Sequence, residues 1–247
     1  SRGVRPRMLS LAGLVLFDII PDSSLPAKYF WNRSPPASGA QMERVIAYVD
    51  GLNRYFGMKE SRWQRFCWLD IQALGRNVLK SHQELKAVNY FTARVSGGPS
   101  DPAKPRRQNT CLEALLAHTQ MNIHYGHYLE REQKCVRCGN TWDCHEEKGT
   151  DVNIATRMLL DAFHDQFDAA LLLSADSDLA GPVQVITQEF SPKRVVMAFP
   201  PNRHSAMLKK IATASFTINR AKLSRSQLPQ EVRNSDGVTL RRPPSWT

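Results

Sequence analysis

The sequence contains no run of the roughly 18 apolar residues that a bilayer-spanning helix needs, so no transmembrane segment can be drawn in it. It has no G-x-S-x-G turn to expose a serine nucleophile, and its seven histidines are scattered, so no nucleophilic triad emerges. Walker-type and dinucleotide-type glycine loops are also missing, which removes the usual motif-based routes to a nucleotide-cofactor enzyme. Cysteine is sparse and odd in number: Cys67, Cys111, Cys135, Cys138 and Cys144. Three of them crowd between 135 and 144, a pattern unlike a secreted disulfide framework. The expectation is a reducing, cytoplasmic setting with a metal clip.

What is present is an ordinary globular balance. The chain has 247 residues, 42% hydrophobic and 23% charged, enough to bury a core in one or two domains. The formal net charge is +10. Such an excess favours a polyanionic partner, because phosphate neutralisation releases counterions. A basic protein with no such partner is the plainer alternative.

Residues 1–41 differ from the rest, with early arginines, a short apolar run from Leu9 to Ile20, and a Pro- and Ser-rich stretch. A signal peptide has a similar plan; the expectation is a non-native or disordered leader. From Met42 onward, short apolar runs alternate with helical patterns. Strands are expected at Val45 to Val49, Leu85 to Val95, Ile123 to Tyr128, Ala169 to Leu173 and Arg194 to Phe199. Helices are expected at Asp70 to Leu79, from Arg106 to about Gln120, at Thr150 to Phe167, Gly181 to Gln188 and Ala206 to Ile211. This alternation implies crossover units and a mostly parallel sheet with helices on both faces, an α/β architecture. One domain is expected over 42–223, with a Cys-rich insert at 132–147 and an irregular tail at 224–247.

Acidic residues fall at telling places. Asp50 ends the first strand in Tyr48-Val49-Asp50-Gly51-Leu52-Asn53. Asp176 and Asp178 follow the fully apolar strand in Ser174-Ala175-Asp176-Ser177-Asp178. Ligands of open α/β sheets bind beyond the carboxyl ends of the strands, so these acids would share one edge. Val152, Ala155, Met158, Leu159, Ala162 and Phe163 have helical spacing with one buried face, and Asp151, which opens this helix, is put on that face by Ala155 and Met158 at i+4 and i+7. Each aspartate taken singly could merely cap a helix. Four together repel one another, and Mg²⁺ or Mn²⁺ is the natural remedy.

Asp50-Gly51-Leu52-Asn53 with Gly57, Glu147-Lys148-Gly149-Thr150-Asp151-Val152, and Ser174-Ala175-Asp176-Ser177-Asp178 resemble, in order, the NYN domain, a branch of the PIN-like nucleases. The resemblance covers most of residues 42–220. It implies a Rossmann-like, PIN-like sheet and a metal-dependent endoribonuclease, with Asp50, Asp151, Asp176 and Asp178 as its Mg²⁺ or Mn²⁺ cluster. Asn53 would be a polar helper and Ser174 would orient the acidic loop. Ala175 stands where the family usually has Gly. The competing function is a catalytically weak RNA-binding or regulatory module on the same fold. A phosphatase-like enzyme using the same acidic edge is a third.

Two further features remain. Cys135-Val136-Arg137-Cys138 with Cys144 and His145 has the composition of a structural Zn²⁺ site. Cys144 and His145 are adjacent, poor geometry for one metal, so His124 or His127 could supply a ligand instead, and free thiols are the alternative. Arg94, Arg106, Arg107, Lys148, Lys209 and Lys210 offer a phosphate track for RNA, single-stranded or structured, with Tyr90, Phe91 and Phe216 either stacking on bases or facing the core. No membrane partner is expected, and a homo-oligomer is left open.

Overall fold

The computed structural model of the chain describes residues 41–97, 101–134 and 136–246, with backbone alone at 127–133 and 142–147. The leader expected over 1–41 therefore lies almost wholly outside the described residues. In chain order the strands are β1 (Glu43–Asp50), β2 (Gln83–Thr92), β3 (Asn122–Tyr125), β4 (His127–Lys134), β5 (Thr141–Lys148), β6 (Ala169–Leu173), β7 (Arg194–Phe199), β8 (Ala214–Thr217), β9 (Glu231–Arg233) and β10 (Thr239–Arg241). The helices are α1 (Gly51–Glu60), α2 (Ile71–Val78), α3 (Lys104–His118), α4 (Thr150–Phe163), α5 (Ala180–Glu189), α6 (Ala206–Ile211) and α7 (Arg220–Arg225).

Six strands form one sheet in the order β3-β2-β1-β6-β7-β8, and every neighbouring pair is parallel. The strand sequences explain this. All five residues of β6, Ala-Ala-Leu-Leu-Leu, are buried, as are the last six of β1. Strands apolar on both sides must be covered on both sides. In β1, Val45, Ala47 and Val49 join a core with Met58 of α1, Ile71 and Leu74 of α2, and Leu112 and Leu115 of α3. Ile46 and Tyr48 point the other way, to Ile154 and Met158 of α4, Val183 and Ile186 of α5, and Leu208 of α6. This is the α/β, PIN-like architecture that the sequence implies. No helix among the described residues is long and apolar enough to cross a membrane.

Polar bonds pin the amino-terminal edge of the sheet. Arg44 at the start of β1 forks onto Asp168 just before β6, with Nη2 to Oδ1 at 2.7 Å and Nε to Oδ2 at 3.1 Å. In the second core, the Tyr48 hydroxyl donates to Asp161 Oδ2 at 2.8 Å, which satisfies both buried groups.

Three expectations need correction. The tail beyond 224 is not wholly irregular: β9 and β10 pair antiparallel, Val232 and Leu240 are buried, and the hairpin packs on α3. Its turn is tied by Asn234 Oδ1, which accepts from the Asp236 and Val238 amides, and by Gly237 at φ 79°. In α4 the buried stripe is Ile154, Met158, Asp161 and Ala162, whereas Val152 and Phe163 are 66% and 62% exposed. At 100° per residue both fall on the opposite, solvent-facing side of the helix. Helix α1, strand β8 and helix α7 are elements that the apolar pattern did not announce.

The Cys-rich segment forms the two-stranded β4–β5 hairpin, in which Glu130 pairs with His145 and Arg131 with Cys144. Cys138 is exposed and free. Cys135 and the side chains of Cys144 and His145 lie outside the described residues, and with them the proposed zinc ligand set.

Candidate active site

The chain builds the sheet outward from β1 in one direction to β3, then returns to place β6, β7 and β8 on its other side. The carboxyl ends of β1 and β6 therefore meet at the point where the order reverses, the position at which open α/β sheets hold ligands.

Asp50 occupies that point. It ends β1 in an extended conformation and caps α1, its Oδ1 accepting from the Asn53 amide at 2.9 Å. Its Oδ2 accepts from Ser174 Oγ at 2.9 Å. Ser174 is fully buried and in turn accepts from the Asp176 amide at 3.1 Å. Asn53 Oδ1 accepts from the Ala175 amide at 3.2 Å, and Asp176 Oδ1 from the Asp178 amide at 3.0 Å. One continuous set of bonds thus ties the start of α1 to the loop after β6. Gly51 lets the start of α1 lie close against β2, because a Cβ there would stand 2.5 Å from Tyr90 Oη and 2.8 Å from the Phe91 carbonyl oxygen.

A cavity of about 370 Å³ opens here. Asp50, Asp176 and Asp151 line it, the last from the first turn of α4, which Gly149 introduces at φ 90°. Asp178 is exposed and does not line it. Arg54, Lys104, Arg107 and Arg203 also line it, together with the aromatic residues Tyr55, Phe56, Tyr90 and Trp246. Arg107 pairs with Asp101, and Arg203 with Glu60. The Arg107 guanidinium holds the Asp101 carboxyl below the usual carboxylate range, and Arg203 does the same for Glu60.

The oxygen donors on the acidic side suit a hard divalent cation. They line an open cavity and not a closed cage: among the described residues, no three His, Cys, Asp or Glu side chains are grouped closely enough to hold a metal.

The expected basic track is only partly assembled. Arg107 reaches the cavity; Arg94, Arg106, Lys148, Lys209 and Lys210 are exposed and do not line it. Arg94 lies over the Tyr125 ring at 5.1 Å. Tyr90 and Phe91 are buried, so the core alternative holds for both, and Phe91 stacks on His124 at 4.6 Å. His124 Nε2 lies 2.9 Å from Asn89 Oδ1. The residues that sequence reasoning missed include Arg54, Tyr55, Phe56, Arg203 and Trp246. Arg54 follows the Asp50–Asn53 signature directly, which was the one local signal available.

Comparison with known proteins agrees with the fold. The NYN domain family matches residues 44–219. A Pseudomonas putida protein, 6-hydroxy-3-succinoylpyridine 3-monooxygenase HspA, is 25% identical over 240 residues, covering 82% of this chain and 75% of that protein. The crystal structure of a Vibrio parahaemolyticus protein of unknown function is similar with a TM-score of 0.51 and 20% identity, covering 78% of this chain and 100% of that one. This last likeness concerns the fold alone.

Proposed function

The chain belongs to the NYN domain family, within the PIN-like nuclease superfamily, and we propose that it is a metal-dependent endoribonuclease working from the cavity at the β1–β6 switch point. The observation that carries this proposal is the arrangement of that cavity: three carboxylates from separate segments, Asp50, Asp151 and Asp176, with cationic side chains lining the same space. A divalent Mg²⁺ or Mn²⁺ held by these carboxylates would supply an activated water and stabilise the leaving oxygen of a phosphodiester.

The remaining roles fall to the chain. Ser174 and Asn53 fix the acidic loop against α1, so Asp50 and Asp176 are positioned before substrate arrives. Asp178 supports the same loop through its amide. Lys104 and Arg107 draw phosphate toward the acids, and the exposed Arg94, Arg106, Lys148, Lys209 and Lys210 extend the attraction along bound RNA.

The test is cleavage of single-stranded and structured RNAs with Mg²⁺, Mn²⁺ or chelator, comparing the wild type with Asp176→Asn. The substitution keeps the shape but removes a charge and most affinity for a hard cation. Activity is expected to fall at least about 100-fold, with RNA binding retained or tighter, because a repulsive carboxylate is gone. Undiminished, chelator-resistant cleavage by the variant would refute the proposal. A second reading, an RNA-binding or regulatory module of weak activity, is favoured by the open arrangement of the carboxylates and by the hydrogen bonds to both Asp50 oxygens. RNA bound tightly and cut by neither protein would select it.

A further inference from the structure

Arg54 has a chemistry that the fold does not use. It lies in α1, is 5% exposed, and lines the cavity. Its Nη2 donates to Tyr90 Oη at 3.2 Å, with the guanidinium carbon 5.9 Å from the centre of that ring. Nε and Nη1 are buried and have no hydrogen-bond partner. Most of the five guanidinium N–H donors are therefore unmet, which is costly for a buried charge.

The ionisable groups acting on it are Tyr90, Cys67 and Cys111. Burial pushes all three up, Cys111 to about 12, so each is neutral at ordinary pH and none offsets the cation. Arg107 and Arg203 already pair with carboxylates; Arg54 makes no such ion pair among the described residues. A buried and largely unpaired guanidinium in a residue that lines a cavity suits a planar or tetrahedral oxyanion.

The cavity identifies the class. At about 370 Å³ it has the size of a small-ligand site, too small for a duplex and adequate for one nucleotide. Tyr55, Phe56 and Trp246 line it, and side chains of this kind stack on bases. We propose that Arg54 is a phosphate anchor: the cavity takes in a single nucleotide unit, and the Arg54 guanidinium binds its phosphate while the adjoining ester faces the acidic side. This inference rests on the nuclease reading of the same cavity, but its test does not use cleavage.

Binding of 5′-AMP, adenosine and inorganic phosphate is measured by calorimetry and by melting temperature, in Mg²⁺ buffer, for the wild type, Arg54→Met and Arg54→Lys. For the wild type, AMP should raise the melting temperature more than adenosine does. Ligand-free Arg54→Met should melt at or above the wild type, since an unsatisfied buried cation is gone. It should lose the advantage of AMP over adenosine, with AMP affinity at least tenfold weaker. Arg54→Lys keeps the charge without the fork, so it should fold as the wild type does and bind AMP several-fold more weakly.

An Arg54→Met protein that melts well below the wild type yet binds AMP equally would overturn the inference, assigning Arg54 to the fold. Wild-type protein that does not distinguish AMP from adenosine would overturn it as well. Should Arg54→Met not fold, unchanged AMP affinity in Arg54→Lys does the same. AMP binding that depends on Arg54, in a protein that cuts no RNA, would discard the nuclease reading alone. Cleavage lost in Asp176→Asn, with AMP binding indifferent to Arg54, would discard only this inference.

Discussion

Gly51→Ala is the smallest change that should open the switch point, and its sign comes from two opposed effects. Alanine is the better helix former by about 1 kcal/mol in a helix interior, and by less at the first position of α1. Against this, the new Cβ would stand 2.5 Å from Tyr90 Oη, 2.6 Å from Tyr90 Cζ and 2.8 Å from the Phe91 carbonyl oxygen. Tyr90 is only 4% exposed, and although its ring also borders the cavity, the Phe91 carbonyl belongs to the backbone of β2 and cannot yield on its own. Overpacking of this kind costs about 1–3 kcal/mol. The net is a loss of about 1–2 kcal/mol, which in a unit of this size lowers the melting temperature by roughly 2–8 °C. Relief requires α1 to move from β2, and that movement pulls Asp50 from its bonds to Asn53 and Ser174. The assay is a pair of melting curves, with Gly75→Ala as the contrast. There the Cβ meets the Leu85 Cδ2 methyl at 2.9 Å, the movable end of a half-buried side chain, so the helical gain should offset the contact and the melting temperature should match or exceed the wild type. Gly51→Ala melting at or above the wild type would refute the close-approach argument.

Two other perturbations test electrostatics. RNA affinity should fall linearly with the logarithm of salt concentration, and Arg107→Ala should flatten that slope by about 0.7, one phosphate contact on a single strand; because Arg107 lines the cavity and Arg106 does not, the Arg107 effect should be the larger, and the reverse order would move the phosphate track away from the cavity. His124 is held below its ordinary 6.5 by burial, aided by the Arg157 charge and opposed by Asp161. The unfolded chain then takes up a proton before the folded one does, so this group's stability contribution is complete above about 6.5, is lost as pH falls toward the lower folded value, and is flat below it. His124→Gln should remove that acid-side loss from melting curves taken across pH, and an identical loss in the variant would assign it to other groups.

Legibility in the sequence followed the physics of each element. Strands β6 and β7 and helix α6 have the ends that their apolar runs suggest, because a segment buried on both faces, or one short amphipathic turn, leaves little choice of boundary. Helix α1 escaped because its buried positions are Gly51, Asn53, Arg54, Gly57 and Met58, a face chosen for polar bonds and close approach instead of hydrophobicity. Asp50 and Asn53 were visible all the same, since a strand ending in a capping aspartate is a local pattern. Arg54 was not: an arginine on a helix is ordinarily solvated, and only the tertiary structure shows its burial. Arg203 and Trp246 come from beyond β7 and from the hairpin region, so their place in the cavity depends on contacts over more than 140 residues that no local period encodes.

The two kinds of side chain around the cavity are fixed by different means, and this bears on the order of events. The acidic loop is held from within, through Asp50, Asn53, Ser174 and Asp176 bonding one another across the β1–β6 junction. Arg107 and Arg203 are held by their pairs with Asp101 and Glu60, so much of their charge is already balanced. Phosphate entering the cavity meets repulsion from three acids, and among the described cations lining it Arg54 is the one least balanced by a carboxylate, since Lys104 shares the field of Asp101. A divalent cation among the acids reverses that repulsion. Cation and RNA should therefore each raise the affinity of the other by the same factor, as linkage demands of two ligands sharing one field. On this account Arg54 makes the cavity attractive enough for a nucleotide phosphate to arrive, and the cation makes it possible for the adjoining ester to settle against the acids.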